Sequence, residues 1–348
     1  MIKYYTRACN FYYGSQSLQK IKKKLSLPLN GNNYLSFDSI ELINRQTKKI
    51  IHIKDINKQK NYIRKIILGN LKIITKKKKF KGLHFNNKPV LMGVLNLTPD
   101  SFSDGGKFNN QKKAFKQAQL LIKNGSEILD IGGESTRPGS KDIVQSLEWK
   151  RLSKILKHRK KFKCLFSLDT RKSEIMKKAM KYNINIINDI SGFSYDQNTL
   201  DFLKKSKVPF IINHIKGNPS NMQKNPKYKN VLLDIYDYFE EQIKKIRSYG
   251  INHNNIILDP GIGFGKKLKH NITLISNISI FHSLGFPVML GASRKRFIGQ
   301  LSGEKNSIKR LGGTISANLY AFTQGVQVLR VHDVEELNQS IKVFKSFY

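Results

Sequence analysis

The chain of 348 residues holds 63 Lys and Arg against 24 Asp and Glu, a formal net charge of +39 at pH 7. Its 39% hydrophobic and 10% aromatic residues suffice for a buried core, which excludes global disorder. No run of eighteen apolar residues offers a membrane-spanning helix, and the two cysteines, Cys9 and Cys164, make neither a disulfide framework nor, lacking nearby ligands, a zinc site. The charge admits a polyanionic partner or a compositional bias. The 51 lysines are spread through a chain also rich in Asn and Ile, which favours bias. Five of the 12 arginines (Arg137, Arg171, Arg294, Arg296 and Arg330) lie in or beside polar motifs, where a planar fork of donors does what Lys cannot.

Residues 1–88 are rich in Lys, Asn and Tyr, and read as an N-terminal extension of unknown role. Strands are expected near Phe37–Arg45 and Lys49–Ile53, and a basic tail over 71–81. The basic, acid-poor start also fits a targeting peptide. From Pro89 the texture changes. Eight short apolar runs follow, each ending in Gly, Asp, Asn, Ser or Arg: Val90–Leu95, Glu127–Ile131, Cys164–Leu168, Ile184–Asn188, Pro209–Asn213, Asn255–Leu258, Pro287–Leu290 and Val326–Val331. Such runs are what parallel strands buried on both faces require. Amphipathic stretches of helical length alternate with them, among them Gln111–Asn124, Ser173–Tyr182, Val231–Tyr249, Ile308–Gln324 and Val334–Phe347. The pattern predicts an α/β fold, a (β/α)8 TIM barrel over 89–348 with a small N-terminal extension. A doubly wound sheet would alternate similarly. Polar motifs follow nearly every run, however, and only a barrel brings all eight strand ends to one mouth.

After the first run, Asn96 offers an amide oxygen to a hard cation, and the loop Thr98-Pro99-Asp100-Ser101-Phe102-Ser103-Asp104-Gly105-Gly106 has the composition of a lid. Arg137, among the small residues of Glu134-Ser135-Thr136-Arg137-Pro138-Gly139-Ser140, is a candidate anion clamp. Asp169, Asn188 and Asp259 stand at strand ends, where they would present acceptors and an amide to a flat, donor-rich heterocycle. Asp189 and Asp333 have the simpler reading of helix caps. Arg330 and His332 share a face of the last strand and suit a phosphate, which barrels often bind near strands seven and eight. Gly261-Ile262-Gly263-Phe264-Gly265 lacks the spacing of a dinucleotide motif.

Seven segments, LNLTPDSFSDGG, LDIGGESTRPGS, SLDTRK, INDISGF, LDPGIGFGK, GASRKRFIG and RVHD, occur in the order seen in the dihydropteroate synthases, and from about Pro89 onward the chain resembles that family. The resemblance implies a transferase of folate biosynthesis. It would condense para-aminobenzoate with 6-hydroxymethyl-7,8-dihydropterin pyrophosphate to give 7,8-dihydropteroate and pyrophosphate. It implies that Asp169, Asn188, Asp259 and Lys295 line the pterin pocket and that Phe264 packs near the aromatic substrates. Asn96 would contact Mg2+ and the diphosphate, and Arg330 and His332 would hold the leaving group. Thr136, Arg137, Pro138 and Ser293 would form the para-aminobenzoate site once the first two loops close, with Asp104 part of that closed arrangement. It further implies competition by sulfonamides and a homodimer; a cytoplasmic location is the default expectation, and the absence of a long apolar run and the spread of the lysines predict no membrane or specific nucleic-acid partner. The chain departs from the family at Asn213 and Lys216, where Met and Gln are common; Ile215 would still supply an apolar pterin contact. A methyltetrahydrofolate-using methyltransferase barrel would not need the Thr136–Ser140 loop, the Ser293-Arg294-Lys295 triplet or the closing Arg330–Asp333 segment. A nucleic-acid-binding protein would cluster its cations with aromatics on one face. An inactive paralogue would not need Asn96, Asp169, Asn188, Lys295 and Arg330 together.

Overall fold

The structure, a computed structural model, describes residues 2–98, 107–135, 137 and 139–348, and for residues 107–110 the backbone alone. Thr136, Pro138 and Asp104 lie outside the described residues.

The first part of the chain forms a small α/β unit. Its elements are β1 (Tyr5–Tyr13), α1 (Gly14–Lys22), β2 (Leu27–Leu29), β3 (Asn32–Ile43), β4 (Lys48–His52) and α2 (Asn61–Ile74). The long β3 is the centre of an antiparallel sheet, with β1 on one side and β2 and β4 sharing the other. In α2, Ile63, Ile67, Leu71 and Ile74 recur at helical spacing and are buried against Ala8, Phe37, Ile40 and Ile51 of the sheet. This unit has its own core. It docks on the larger one through Tyr5 and Arg45, which bond Asp237 at 2.8 and 2.6 Å, and through Tyr13, whose hydroxyl donates to the Thr323 carbonyl at 2.8 Å. The expected basic tail over 71–81 is not one: Leu71 and Ile74 are core residues. Lys78 turns inward, where its ammonium donates to the Ile73 and His282 carbonyls. A Lys in a run of four can do this because two carbonyls replace its lost water.

The eight expected strands form one parallel sheet, with a helix or helices after each. They are β5 (Val90–Asn96), α3 (Lys107–Lys123), β6 (Ile128–Gly132), α4 (Gln145–Leu156), β7 (Leu165–Asp169), α5 (Ser173–Met180), β8 (Ile186–Asp189), α6 (Thr199–Ser206), β9 (Phe210–Asn213), α7 (Val231–Ser248), β10 (Ile256–Asp259), α8 (Leu268–Ser276), β11 (Met289–Leu290), α9 (Arg296–Ser302), α10 (Leu311–Thr323), β12 (Val328–Val331) and α11 (Val334–Ser346). The strand order is β10-β9-β8-β7-β6-β5-β12-β11. A parallel bridge between Leu258 and Val288 joins its two ends, so the sheet closes into the (β/α)8 barrel.

The expected run Pro287–Leu290 shrinks to the two residues of β11, since Pro287 brings no N–H to a ladder. The expected helix Ile308–Gln324 starts at Leu311. Before it the Arg310 guanidinium gathers the carbonyls of Arg294, Glu304 and Lys305 and holds the chain in a turn.

Period-two alternation separates the two faces of every strand. Leu129, Ile131, Phe166, Leu168, Ile187, Ile212, Leu258 and Leu329 face the helices in the main core. Val90, Met92, Ile128, Ile186, Ile211, Ile257, Met289 and Val328 form a second cluster, the barrel lining, with Phe80 and Leu83 packed into it. Two residues beyond these lining positions, on the same inward face, stand Asp130, Asn188, Asn213, Asp259, Gly291 and Arg330. An apolar layer thus fills the lower barrel, and a polar layer forms the floor of its C-terminal mouth.

Candidate active site

The polar layer is built around Arg330. Its Nε donates to Asp130 at 2.7 Å and its Nη2 to Asp169 at 2.8 Å, which ties β12 to β6 and β7. The Asn188 amide of β8 donates to both oxygens of Asp130, at 3.2 and 3.4 Å. Asp130 is fully buried, and Asp169 is 5% exposed. Burial and the neighbouring Asp130 push the Asp169 carboxyl up, to about 8, against the opposing pull of Arg330. One guanidinium thus faces two carboxylates in a nearly dry site. The asymmetry leaves acidic character where the barrel opens. Asp169 and Asn188, both expected at strand ends, are brought together here through Arg330 and Asp130. Arg330 is committed to two carboxylates by two of its three nitrogens, so its fork is not wholly free for an anion. Among the described residues, Nη1 has no protein acceptor.

Asp259, Lys295 and Phe264 meet on the other side of the mouth. Lys295 reaches over the Phe264 ring, 4.4 Å from its centre, and donates to the Ile262 carbonyl. A Cβ on Gly291 would lie 3.8 Å from both Asp259 Oδ2 and Lys295 Nζ, so the absent side chain marks where acid and amine approach each other. Burial pushes Lys295 down to about 8 against the attraction of Asp259, and pushes Asp259 up against the attraction of Lys295. Asp259 also accepts the Gly261 N–H at 2.8 Å and starts the glycine-rich turn.

At Gly261 φ is +67°, and a Cβ there would lie 1.9 Å from the His214 carbonyl oxygen. Gly261→Ala is therefore expected to cost about 2–4 kcal/mol of stability, through a left-handed alanine and a backbone clash. Thermal melts check this; an unchanged Tm would mean the turn can refold around a side chain.

Ser293 and His332 pair at the third edge. The Ser293 hydroxyl accepts the His332 backbone N–H at 3.2 Å and lies 3.0 Å from Nδ1. In the tautomer in which the hydroxyl donates to Nδ1, Nε2 carries the N–H of the ring. Burial and the positive charges of Arg330 and Arg294 drive His332 down to about 3, so it acts as a neutral donor and not as a cation. His332 therefore adds a neutral donor beside the Arg330 cation on this strand face. The reading of Asp333 is corrected: its carboxylate caps nothing and accepts from Arg294 Nε at 3.0 Å. Asp189 accepts from the Ser191 N–H and hydroxyl, at 2.7 and 2.6 Å, in a turn after its strand. Asn96 ends β5 on the far side of Gly132, where a Cβ would lie 3.6 Å from both Asn96 Oδ1 and Asp169 Oδ2.

Arg137 is exposed, and its charge reaches His332. The stem of its loop is held by a buried ion network. Glu134 accepts from Arg171 Nε and Lys172 Nζ, both at 3.1 Å. Lys172 also bonds Glu148 at 2.7 Å, and Arg171 bonds Asp142 at 2.6 Å. Asp130, Glu134 and Glu148 had no expected role. Asp130 carried a signal, since a carboxylate within Ile128-Leu129-Asp130-Ile131 must be paired if that run is a buried strand. For a single oxygen such as Asn96 to hold Mg2+, the rest of the shell would have to come from water and substrate phosphates, the usual arrangement for this ion. Among the described residues no group of three His, Cys, Asp or Glu side chains could hold a metal by itself.

Residues 92–332 match the family model described as pterin binding enzyme. The dihydropteroate synthase of Escherichia coli K12 is 39% identical over 259 residues, covering 74% of this chain and 91% of that one. The enzyme of Neisseria meningitidis serogroup B is 40% identical over 266 residues, covering 75% and 93%. Among solved structures, the Yersinia pestis dihydropteroate synthase in a sulfonamide complex superposes with a TM-score of 0.72 at 35% identity, over 77% of this chain and 98% of that one. The Xanthomonas albilineans enzyme with 4-aminobenzoic acid gives 0.71 at 33% identity, over 75% and 93%.

Proposed function

Because the chain belongs to the pterin-binding enzyme family, we infer from that premise how its residues share the work of a dihydropteroate synthase. The reaction transfers a dihydropterin-methyl group to an arylamine. Para-aminobenzoate and 6-hydroxymethyl-7,8-dihydropterin pyrophosphate give 7,8-dihydropteroate and pyrophosphate. The observation that carries the reading is the polar floor itself: Asp130, Asp169, Asn188, Asp259 and Arg330 from five strands, and Lys295 from the loop after a sixth, converge at the mouth of a barrel that matches synthases over its length.

Bond changes set what this floor must do. The C–O bond of the exocyclic methylene breaks, with its electron pair leaving on the diphosphate. The arylamine lone pair then forms the C–N bond, and the extra N–H proton passes to water. Positive charge grows on the pterin and negative charge on the leaving group. Asp169 and Asp259 read the ring N–H donors and oppose the positive charge from a dry site, where the interaction is strong. Asn188 has its amide hydrogens on Asp130, which turns its oxygen to the ligand as a fixed acceptor. The Lys295 ammonium donates to the pterin, and Phe264 packs on a substrate ring. The free Nη1 of Arg330 and the Nε2–H of His332 face the departing diphosphate. Arg137 and Ser293, with Thr136 and Pro138, hold para-aminobenzoate, the position for which sulfonamides compete. Bound Mg2+, held by Asn96 and the diphosphate, would lower the cost of negative charge on the leaving group. The reading includes a homodimer in the cytoplasm with no membrane or specific nucleic-acid partner. Among the described residues no helix is long and apolar enough to cross a membrane.

Pyrophosphate release by the purified protein, with Mg2+ and the pterin substrate, should depend on para-aminobenzoate and yield dihydropteroate by mass. Folded protein that binds the pterin but forms no product would overturn the assignment.

A further inference from the structure

We propose that the long segment between β9 and α7 is a clamp on the glycine-rich turn after β10, and that Gln223 and Tyr228 within it are positioning residues for the pterin pocket. The proposal rests on the reading that Phe264 and Lys295 contact the pterin.

The turn has an unusual hydrogen-bond pattern. Gly261, Gly263 and Gly265 all adopt left-handed φ, at 67°, 82° and 62°. Three glycines in five residues leave the free chain many conformations, so the working one needs outside support. Four consecutive carbonyls supply it, each accepting from a side chain. Ile262 takes Lys295 Nζ, and Gly263 takes Gln223 Nε2 at 2.5 Å. Phe264 takes Lys266 Nζ at 2.9 Å, and Gly265 takes the Tyr228 hydroxyl at 2.8 Å. Two of the four donors come from the segment after β9, outside every motif singled out by sequence.

The same segment grips the turn from below. Met222 packs with Phe264 and Ile190 in one small apolar cluster, to which Ile215 adds. A Cβ on Gly265 would lie 2.5 Å from the Lys216 carbonyl, so the two backbones are in direct contact. Lys216, one of the two departures from the family pattern, closes the segment on itself: its ammonium lies 4.6 Å from the Tyr228 ring centre and donates to the Lys227 carbonyl. The other departure, Asn213, donates to the Ile190 carbonyl at 2.8 Å from a buried position. Both departures therefore serve the support of the pocket wall. Losing a clamp bond frees the carbonyl and, with it, the plane of the Phe264 ring and the anchor of Lys295.

Tyr228→Phe removes one oxygen and keeps the ring against His270. Gln223→Leu keeps the volume and removes the donor. Each is expected to raise the KM for the pterin diphosphate about fivefold, the worth of one hydrogen bond. The double variant should reach about twenty-five-fold, the product of the two single losses. The KM for para-aminobenzoate at saturating pterin should stay within twofold, and Tm within about 2 °C. Hydrogen exchange in the peptide covering 261–265 of ligand-free Tyr228→Phe should quicken. Parallel rises in both KM values, or an unchanged pterin KM with unchanged exchange, would overturn the clamp. Wild-type turnover in the same assay keeps this separate from the synthase reading: without it that reading fails, and with it only the clamp is at stake.

Discussion

Asp169→Asn is expected to lower kcat/KM for the pterin substrate by about two to three orders of magnitude, as for loss of one preorganised charge aimed at a transition state. It is also expected to raise Tm at pH 8. The two effects share one cause. Asp169 titrates near 8 in the folded protein, from burial first and Asp130 second, but near 4 in the unfolded chain. Between those values the native state holds a proton that the unfolded state has shed. Stability therefore falls as pH rises through this window, and what is lost is lost by pH 8. Asn carries no charge to bury, so the variant escapes the fall; the gain should shrink toward pH 4. In wild type, kcat/KM should rise with pH toward 8 as Asp169 ionises. It should fall above 8 as Lys295, pushed down to about 8, loses its proton. Asp169→Asn should lack the acid limb and keep the alkaline one. A wild-type profile flat from pH 6 to 9, or a variant retaining the acid limb, would remove Asp169 from this role.

The architecture was legible because the barrel repeats one rule. An apolar run of about five residues ends in a polar residue, and period two carries that residue to the inner face. Asp169, Asn188 and Asp259 follow from it directly, and Arg330, inside its run, follows from sharing a face with His332. Partners do not follow, because they come from strands far apart in sequence. Nothing in the spacing says that Arg330 meets Asp130, two hundred residues earlier. Asp130 lay inside an apolar run and read as part of a strand instead of its polar end. Gln223 and Tyr228 lie in a connection with no periodicity at all. The N-terminal unit was obscured by composition. The Ile63, Ile67, Leu71, Ile74 stripe of α2 is a plain helical signal, but lysines on its other faces and just beyond it drew attention to charge. Where charge is distributed this widely, the spacing of the few apolar residues is the better guide.

Arg330→Ala should be the most damaging single change in the chain, and the way it fails distinguishes two roles. If the guanidinium only held the diphosphate, its loss would raise the KM for the pterin substrate and leave the fold intact. The geometry predicts more. Among the described residues, removing Arg330 leaves Asp130, fully buried, with the Asn188 amide alone, and Asp169 beside it without its paired cation. Stripping the partner from a buried charge costs about 3–5 kcal/mol, so Tm should fall sharply at pH 8 and less at pH 5, where Asp169 holds its proton. kcat should drop at least about a thousandfold, since the site loses its charge order as well as one donor. Arg330→Lys should recover part of the stability but little activity, because a single ammonium cannot span both carboxylates as a fork does. Arg330→Ala with Asp130→Asn then isolates the electrostatic part: it should regain most of the lost Tm at pH 8 and none of the lost kcat. Recovery of kcat in that double variant would mean Arg330 acts on catalysis only by neutralising Asp130. Failure to recover Tm would mean the carboxylate pair is not what makes Arg330 structurally necessary.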